Sequence, residues 1–328
     1  QKGRPVYRFG FGQSPFPVPE RVTQSLKEHA SNKEYTEVQG LLALREAITE
    51  FHRLVANQPF SPERMIIGAG SKILIYAFMR AFTHAQIVIP TPSWVSYAPQ
   101  ARLAGHDVIT ITTDSREHWR ITPELLKQTL ATCDTNKTTI LIMNYPGNPD
   151  GLNYNTDKLS QVAEIAREHH VLIIADEIYG LLEYNGQYQS IAHDYPEGTI
   201  VTSGLSKWCG AGGWRLGFAH IPNQLGNELF NTLLGIASET YSCASTPMQY
   251  AAIQAYQYNE SINAYLNKQR FILKQLANAC YERFTTANIK LSLSQGGFYC
   301  FPDFGEYQSI LAKRGINSGE QLCQQLLA

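Results

Sequence analysis

The sequence predicts an α/β fold: a large domain with a mostly parallel, seven-stranded sheet covered by helices, and a smaller α+β domain formed by the two chain ends. Seven short apolar runs, most of them rich in β-branched residues, alternate with helical patterns between residues 35 and 220. Apolar runs separated by helices are typical of parallel strands buried on both faces. Polar or glycine-rich segments follow these runs, at the edge where catalytic groups gather in such sheets.

The predicted elements alternate regularly along the first two thirds of the chain. Strands are predicted at residues 65–67, 87–89, 108–111, 139–143, 171–175, 200–202 and 216–219. The helices predicted between them include 40–55, 71–82 and 156–169. After about residue 224 the pattern becomes helical, at 246–258 and 262–284, and it ends with a short strand at 297–301 and a helix from Ser318.

The predicted domains divide the chain into three parts. Residues 1–30, rich in Pro and Gly, form the N-terminal part of the small domain, and residues 31–225 form the large domain. Residues 226–328 supply a linking helix and the C-terminal part of the small domain. The sequence begins without Met and stops inside an amphipathic helical pattern, so we expect a chain trimmed at both ends.

Composition argues against several classes of partner. A formal net charge of -1 gives no electrostatic reason to expect nucleic acid or an anionic membrane. No apolar run approaches the roughly 18 residues that a spanning helix needs, and no apolar segment of a signal peptide follows the basic start. The 6 cysteines are scattered without a C-x-x-C pair, which argues against a metal site and favours a reducing, cytoplasmic location.

Lys207 is the first candidate for chemistry. It follows the predicted strand at 200–202, in the segment SGLSK, and precedes the glycine-rich segment GAGGWR. A lysine amine at a strand end can form an imine with an aldehyde. Taken alone, a surface lysine in a glycine-rich loop is the commoner explanation, so the interpretation depends on the neighbouring motifs.

Asp176 closes the predicted strand at 171–175. A carboxylate at the tip of a buried strand needs a cationic or hydrogen-bonding partner, and a protonated pyridine nitrogen would be one. Asp176 could instead cap a helix or belong to the metal-holding strand of a nucleotide hydrolase. The segment GAGSK at 68–72 suggests the same hydrolase, but it lacks the spacing G-x-x-x-x-G-K-[ST] of a phosphate loop.

Three further segments could surround a flat, anionic cofactor. The small residues at 68–71 open a helix and could bind an anion through backbone N–H groups, with Arg215 adding a guanidinium. The loop NYPGNPDG at 144–151 could direct the Asn148 amide at a ring oxygen, although it would also serve as a plain turn. Trp94 could stack on the ring or be an ordinary core tryptophan.

These segments, in this order, resemble the fold-type-I pyridoxal-phosphate enzymes, specifically the class I/II, aspartate aminotransferase-like family. The family patterns are N-x-P-x-N-P-x-G, D-E-x-Y, S-K with G-x-R downstream, and Y-x-x-x-x-G-x-x-x-L-R. This chain has them at residues 144–151, 176–179, 206–215 and 35–45, and the match runs from about Phe9 to the end.

The resemblance implies a role for each matching residue. Lys207 would bind pyridoxal 5'-phosphate as a Schiff base and shuttle the proton, and Asp176 would pair with the pyridine nitrogen. Asn148 and Tyr179 would bond the phenolic oxygen, and Trp94 would stack on the ring. The residues implied in phosphate binding are Ala69, Gly70, Ser71, Ser206 and Arg215.

The resemblance also implies one residue that contacts the neighbouring subunit and one that lines the substrate pocket. Tyr35 would reach the phosphate of the neighbouring subunit, which makes a homodimer the expected unit. Gly12 falls where the mobile N-terminal segment of the family lines the substrate pocket, together with Asn148 and Trp94. The expected small-molecule partners are an amino acid and a 2-oxo acid.

The chain departs from the family pattern in three places. Gly204 replaces a common Ser three residues before the lysine, so Ser203 or Ser206 must supply that hydroxyl, or it is missing. Asp150 replaces a usual Thr, at little expected cost. The family arginine for the substrate α-carboxylate lies in a C-terminal segment that this sequence does not reach, which leads us to expect a fragment or an incomplete record.

The sequence therefore predicts transamination in a ping-pong cycle. A β-eliminating C–S lyase or related lyase of the same fold stays open, because the cofactor motifs do not decide between the two outcomes. A non-catalytic, cofactor-binding sensor domain is the alternative from another class. The side chain of the amino acid stays undecided between acidic, aromatic and small aliphatic.

Overall fold

The structure is a computed structural model that describes residues 10–327. A seven-stranded sheet in the order β1-β7-β6-β5-β4-β2-β3 forms its centre. β7 runs antiparallel to both of its neighbours, and the other pairs are parallel, so the predicted mostly parallel sheet is confirmed. The strands are β1 Met65–Gly68, β2 Gln86–Thr91, β3 Asp107–Thr112, β4 Thr139–Met143, β5 Leu172–Asp176, β6 Thr199–Gly204 and β7 Gly217–His220.

Helices cover both faces of this sheet. The helices within residues 10–327 are α1 Glu20–His29, α2 Leu42–Ala56, α3 Ser71–Arg80, α4 Tyr97–Leu103, α5 Pro123–Leu130, α6 Thr156–Glu168, α7 Gly226–Tyr241, α8 Thr246–Ala255, α9 Glu260–Thr286, α10 Gln308–Ala312 and α11 Gly319–Leu327. The last two bury no residue and do not belong to the layers over the sheet. The predicted helices are all present, and their ends differ from the predicted ones by a few residues.

The strands bury alternate residues in two separate cores, which explains their continuous apolar character. Ile173 of β5 belongs to the core beneath α2, α6 and α8. Its neighbour Ile174 belongs to the core beneath α3, α4 and α7. Because both faces are covered, the inner strands are buried along their length, and only the edge strand β3 exposes residues between its ends.

Several helix starts are defined by side chains that the local sequence supplies. The Thr122 hydroxyl accepts from the backbone N–H of Leu125 at 3.2 Å at the start of α5. The Asn155 side chain accepts from Lys158 N–H at 2.8 Å at the start of α6. Ser, Thr, Asn and Asp are preferred at this position because they satisfy a backbone donor that has no partner within the helix.

The short strand predicted at 297–301 is wrong. The structure has an isolated bridge between Glu183 and Gly296 there, and no strand over the predicted residues. The N–H groups of Gln295 and Gly296 both donate to the carbonyl of Gly151, and Gly297 has a positive φ of 67°. The segment therefore wraps around another loop instead of extending along a neighbouring strand.

The N-terminal helix packs along α8. The His29 ring stacks on Tyr250 with 4.7 Å between centroids, and Arg21 donates to the Gln254 side chain at 2.7 Å. Val22 is fully buried in the core beneath α2 and α8.

The division into a large domain and a small domain stays a prediction. Among residues 10–327, no helix combines the length and the apolar character needed to cross a membrane.

Candidate active site

Most of the predicted site residues lie at one edge of the sheet, and Tyr35 is the exception. β1, β2, β4, β5 and β6 all run in the same direction, so their carboxyl ends lie together. β7 runs the opposite way and begins at this edge, which brings Arg215, just before its start, to the same place. The topology thus gathers motifs that are far apart in the sequence.

Lys207 lies in the turn after β6 and is half-buried. Its Nζ donates to the carbonyl oxygen of Gly12 at 2.5 Å and lies 5.5 Å from the centroid of the Tyr179 ring. Burial lowers the pKa of the Lys207 amine; Asp176 opposes this effect, and the positive charges of Arg215 and Lys72 add to it. A lowered pKa increases the neutral, nucleophilic fraction of the amine.

Asp176 is the buried end of β5, with 2% of its surface exposed. The Tyr97 hydroxyl donates to its Oδ2 at 2.7 Å, and the Thr202 hydroxyl approaches Oδ1 at 3.5 Å. Burial raises the pKa of Asp176 to about 6, although these hydrogen bonds and the Lys207 charge oppose the rise. In the part of the chain that the structure describes, no cationic side chain pairs directly with this carboxyl group. A cationic ring nitrogen would therefore satisfy it.

Asn148 and Tyr179 lie near each other, and their predicted contact with the phenolic oxygen stays a prediction. The Asn148 side chain is near enough to the Tyr179 hydroxyl to lower the pKa of that group, and the Tyr179 hydroxyl bonds the Tyr299 hydroxyl at 2.9 Å. Asn144 holds the loop in place: its Oδ1 accepts from the Asn148 N–H at 2.9 Å, and its Nδ2 donates to the Asp176 carbonyl at 2.8 Å. The two polar groups are thus fixed to the end of β5.

The anion-binding segment and Arg215 come together at the start of α3. Arg215 donates to the Gly212 carbonyl at 2.9 Å and approaches the Ala69 carbonyl at 3.4 Å. Gly70 has a φ of 90°, and a Cβ there would overlap the guanidinium of Arg215. Ser71 begins α3, so the backbone N–H groups of the first turn have no partner within the helix. These groups and the Arg215 guanidinium define a compact site of positive potential.

Trp94 is half-buried near this site and packs against the core beneath α3, α4 and α7. Its ring lies 4.7 Å from Lys72 Nζ and makes an edge contact with Tyr97, at 5.2 Å between centroids. Ser206 adjoins Lys207 and is half-buried. Tyr35 is 87% exposed and, among the described residues, makes no contact with these groups.

The missing serine at position 204 has a structural explanation. A Cβ on Gly204 would lie 2.6 Å from the Leu216 carbonyl oxygen and 2.7 Å from Gly217 Cα. The Ser203 hydroxyl is buried and donates to the Glu177 carbonyl at 3.3 Å. That Ser206 supplies the replacing hydroxyl stays a prediction.

The sequence interpretation missed four residues of the site: Lys72, Tyr97, Thr202 and Tyr299. Thr202 is opposite Asp176 in the parallel register of β5 and β6, which the strand pattern could have indicated. Tyr97 belongs to the segment of Trp94, and a buried tyrosine hydroxyl requires a partner. Tyr299 has no sequence signal, because a long-range loop contact brings it to Tyr179.

Comparisons with known proteins agree with this site. The family model described as "Aminotransferase class I and II" matches residues 4–328. An aspartate aminotransferase of Bacillus sp. (strain YM-2) is 32% identical over 99% of this chain and 82% of its own length. An asparagine–oxo-acid transaminase of Streptococcus mutans is 30% identical over 92% of this chain and 77% of its own length.

Solved structures show the same fold. The aspartate aminotransferase from Thermus thermophilus with maleate has a TM-score of 0.84 and 26% identity, covering 93% of this chain and 79% of that one. An aromatic aminotransferase from Pyrococcus horikoshii has a TM-score of 0.83 and 27% identity, covering 93% of this chain and 83% of that one.

Fold and site together define a pyridoxal-phosphate-dependent enzyme that transfers amino groups. The chain belongs to the aminotransferase class I and II family. The predicted cofactor and reaction class, transfer of an amino group from an amino acid to a 2-oxo acid, are confirmed. The buried carboxyl group of Asp176 and the anion site at Gly70 and Arg215 fit the ring nitrogen and the phosphate of this cofactor.

Proposed function

We propose that Lys207 is the catalytic amine of this aminotransferase, attaching the cofactor and moving the proton during amino transfer. The observation that carries the proposal is its Nζ, 2.5 Å from the Gly12 carbonyl and close to Asp176, with a pKa lowered by burial. When bound, pyridoxal phosphate supplies an aldehyde and an electron-withdrawing ring. A partly neutral amine at this position can bond to the first and then act as a base.

The other site residues would orient the cofactor and balance the charges on its ring nitrogen and phosphate. Asp176, held by Tyr97 and Thr202, supplies the negative charge that keeps the ring nitrogen protonated. Asn148 and Tyr179 would bond the phenolic oxygen of the cofactor, and Trp94 would stack on its ring. The residues that would hold its phosphate are Ala69, Gly70, Ser71, Ser206 and Arg215.

The experiment that tests Lys207 is a single half-reaction. Given an amino donor alone, the protein releases oxo acid in an amount equal to its active sites, without ammonia. Lys207→Ala releases none, and borohydride reduction of the loaded wild type labels the peptide that contains Lys207. Continued release of ammonia and oxo acid would identify a lyase, and a label on another lysine would reject the assignment.

The amino donor proposed for this site is an acidic amino acid. Lys72 lies over Trp94, near enough to influence Lys207, and within the described ranges no carboxylate pairs with it. A side-chain carboxylate of the substrate would provide that partner. Several relatives carry the name aspartate aminotransferase, and one solved relative was determined with the dicarboxylate maleate.

A donor comparison tests the role of Lys72. Lys72→Met is expected to raise KM for aspartate by about 10- to 100-fold, the range for a lost hydrogen bond between charged groups. KM for phenylalanine should change little, because that side chain has no carboxylate, and any effect through Lys207 would appear with both donors. Equal changes for the two donors would contradict the proposal.

The working unit we propose is a homodimer in the cytoplasm. Tyr35 is 87% exposed in one chain, together with the apolar side chains of Val95 and Leu103, which a second subunit would cover. The cysteines have no disulfide partner among the described residues, in keeping with a reducing compartment.

A further inference from the structure

A buried ion pair lies beneath the loop that carries Asn148. Arg120 Nη2 is 2.5 Å from Asp150 Oδ1, and the two side chains are only 6% and 4% exposed. Asp150 is the residue that replaces the usual Thr of the family pattern. The expectation that this change has little consequence does not account for a carboxylate buried against an arginine.

Both members of the pair bind the same residue at the end of the loop. The Leu152 N–H donates to Asp150 Oδ1 at 2.8 Å, and Arg120 Nη1 donates to the Leu152 carbonyl at 3.2 Å. That carbonyl also accepts from the Gly147 N–H at 3.1 Å. The ion pair therefore closes residues 147–152 into a ring of contacts, with Asn148 inside it.

Arg120 is anchored on its other sides as well. Its Nε donates to the His118 carbonyl at 3.1 Å, and its guanidinium lies 5.1 Å from the centroid of the Tyr154 ring. The Tyr154 hydroxyl in turn accepts from the Ile121 N–H at 3.1 Å. The arginine connects the segment before α5 to the loop of Asn148, and it has little freedom to move independently.

We propose that the Arg120–Asp150 pair is a positioning device for Asn148, holding its amide at the place where the cofactor oxygen binds. The inference rests on the proposed role of Asn148. Neither member of the pair touches the cofactor site: Asp150 acts through Leu152 and Gly147, and Arg120 acts through Asp150. A loop without this closure could let the Asn148 amide turn away while the fold persists.

The test compares Asp150→Asn, Arg120→Met and the double variant with Asn148→Ala as the reference. Two properties are measured on each: the dissociation constant of pyridoxal phosphate from apo-protein, and the pH midpoint of the absorption band of the bound cofactor. Asp107→Asn is the matched control, because the Lys137–Asp107 pair, at 2.7 Å, lies at the opposite end of the sheet.

The single variants are expected to weaken cofactor binding by about tenfold, which corresponds to about 1.4 kcal/mol. They should also shift the band midpoint in the direction that Asn148→Ala shifts it. The double variant should show less than the sum of the single effects, because each single change already breaks the closure and leaves one buried charge uncompensated. The control should change neither property.

The outcomes separate this inference from the role of Asn148. If Asn148→Ala leaves the midpoint unchanged, the proposed role of Asn148 fails, and the inference fails with it. If Asn148→Ala shifts the midpoint but the pair variants only lower the thermal stability of the apo-protein, the pair is structural and the inference alone is rejected. Should Arg120→Met fail to fold, Asp150→Asn and the double variant decide.

Discussion

Two adjacent carboxyl groups at the end of β5 differ in their surroundings. Asp176 belongs to the proposed cofactor site and has Lys207 nearby. Glu177 is also buried, but its bonds come from neutral groups: the Gln58 amide at 3.0 Å and the Ser190 hydroxyl. Burial raises the pKa of Glu177 to about 8. At neutral pH we therefore expect Glu177 to be mostly protonated, so that Asp176 is the anion the cofactor meets.

A pH series of stability tests this assignment. The folded protein holds a proton on Glu177 that the unfolded chain, with its usual pKa of 4.5, has lost. Since the folded state binds more protons between pH 4.5 and about 8, this group makes stability fall as pH rises through that window. Glu177→Gln removes this pH dependence. The free energy of unfolding of the variant should therefore rise relative to that of the wild type as pH rises, by a few kcal/mol at pH 8.

The measurement is denaturant unfolding of both proteins from pH 5 to pH 9. All other titrating groups are shared, so the difference between the two curves isolates position 177. A difference that stays constant across this range would mean that Glu177 is ionised in the folded protein at neutral pH.

The ends of β6 and β7 illustrate how backbone proximity builds a site at the scale of elements. Gly204 and Gly217 pair in register, and a Cβ on Gly217 would lie 2.5 Å from the Ser71 backbone nitrogen. The start of α3 can approach β7 because Gly217 carries no side chain, and β7 can approach the end of β6 because Gly204 carries none. Both glycines contribute to the anion site through close backbone packing.

Restoring the family serine is expected to harm this protein. Gly204→Ser would force a side chain against the Leu216 carbonyl and Gly217, and overpacking of this kind costs about 1–3 kcal/mol. The free energy of unfolding of the apo-protein, measured with denaturant, should fall by this amount. Gly235→Ser in α7 is the control, because a Cβ there has nothing within 4 Å. An unchanged free energy of unfolding for Gly204→Ser would contradict this expectation, because it would mean that β6 and β7 move apart at little cost.

The failed strand prediction at 297–301 has a physical cause at the same scale. Alternating apolar and aromatic residues favour an extended segment, but a strand also needs a neighbour with free backbone groups. Here the N–H groups of Gln295 and Gly296 donate to the Gly151 carbonyl, and the Gly297 N–H donates to the Leu182 carbonyl. The segment instead delivers Tyr299 to Tyr179, which no local pattern indicates.

At the scale of the whole molecule, the proposed dimer makes a prediction about shared sites. If Tyr35 completes the site of the neighbouring subunit, Lys207→Ala and Tyr35→Ala subunits should complement each other. In a mixed dimer, one site receives an intact Lys207 from its own chain and an intact Tyr35 from the other. Unfolding and refolding an equal mixture should therefore restore about a quarter of the wild-type activity, as expected for random pairing.

The control for complementation is a chain that carries both substitutions, refolded with either single variant. Such mixtures contain no dimer with one fully intact site, so their activity should not exceed that of the single variants. Activity that depends on Tyr35 within the same chain would leave the first mixture unrestored, and the proposed arrangement of the dimer would then be wrong.

The sequence by itself determined the α/β class and the parallel strands, and it supplied the motifs of the proposed cofactor site. These features depend on residues close together in the chain: apolar runs define strands, and Lys207, Asp176 and Arg215 each stand beside a strand end. Local spacing is enough for them, because strand and turn preferences act over a few residues.

The tertiary structure alone decided which groups face one another. It brought Gly12 to Lys207, Tyr97 to Asp176, Tyr299 to Tyr179 and Arg120 to Asp150. It also raised the pKa of Asp176 and of Glu177, because burial depends on every element that covers a group. Contacts and burial depend on residues that are far apart in the sequence, so a local sequence pattern does not predict them.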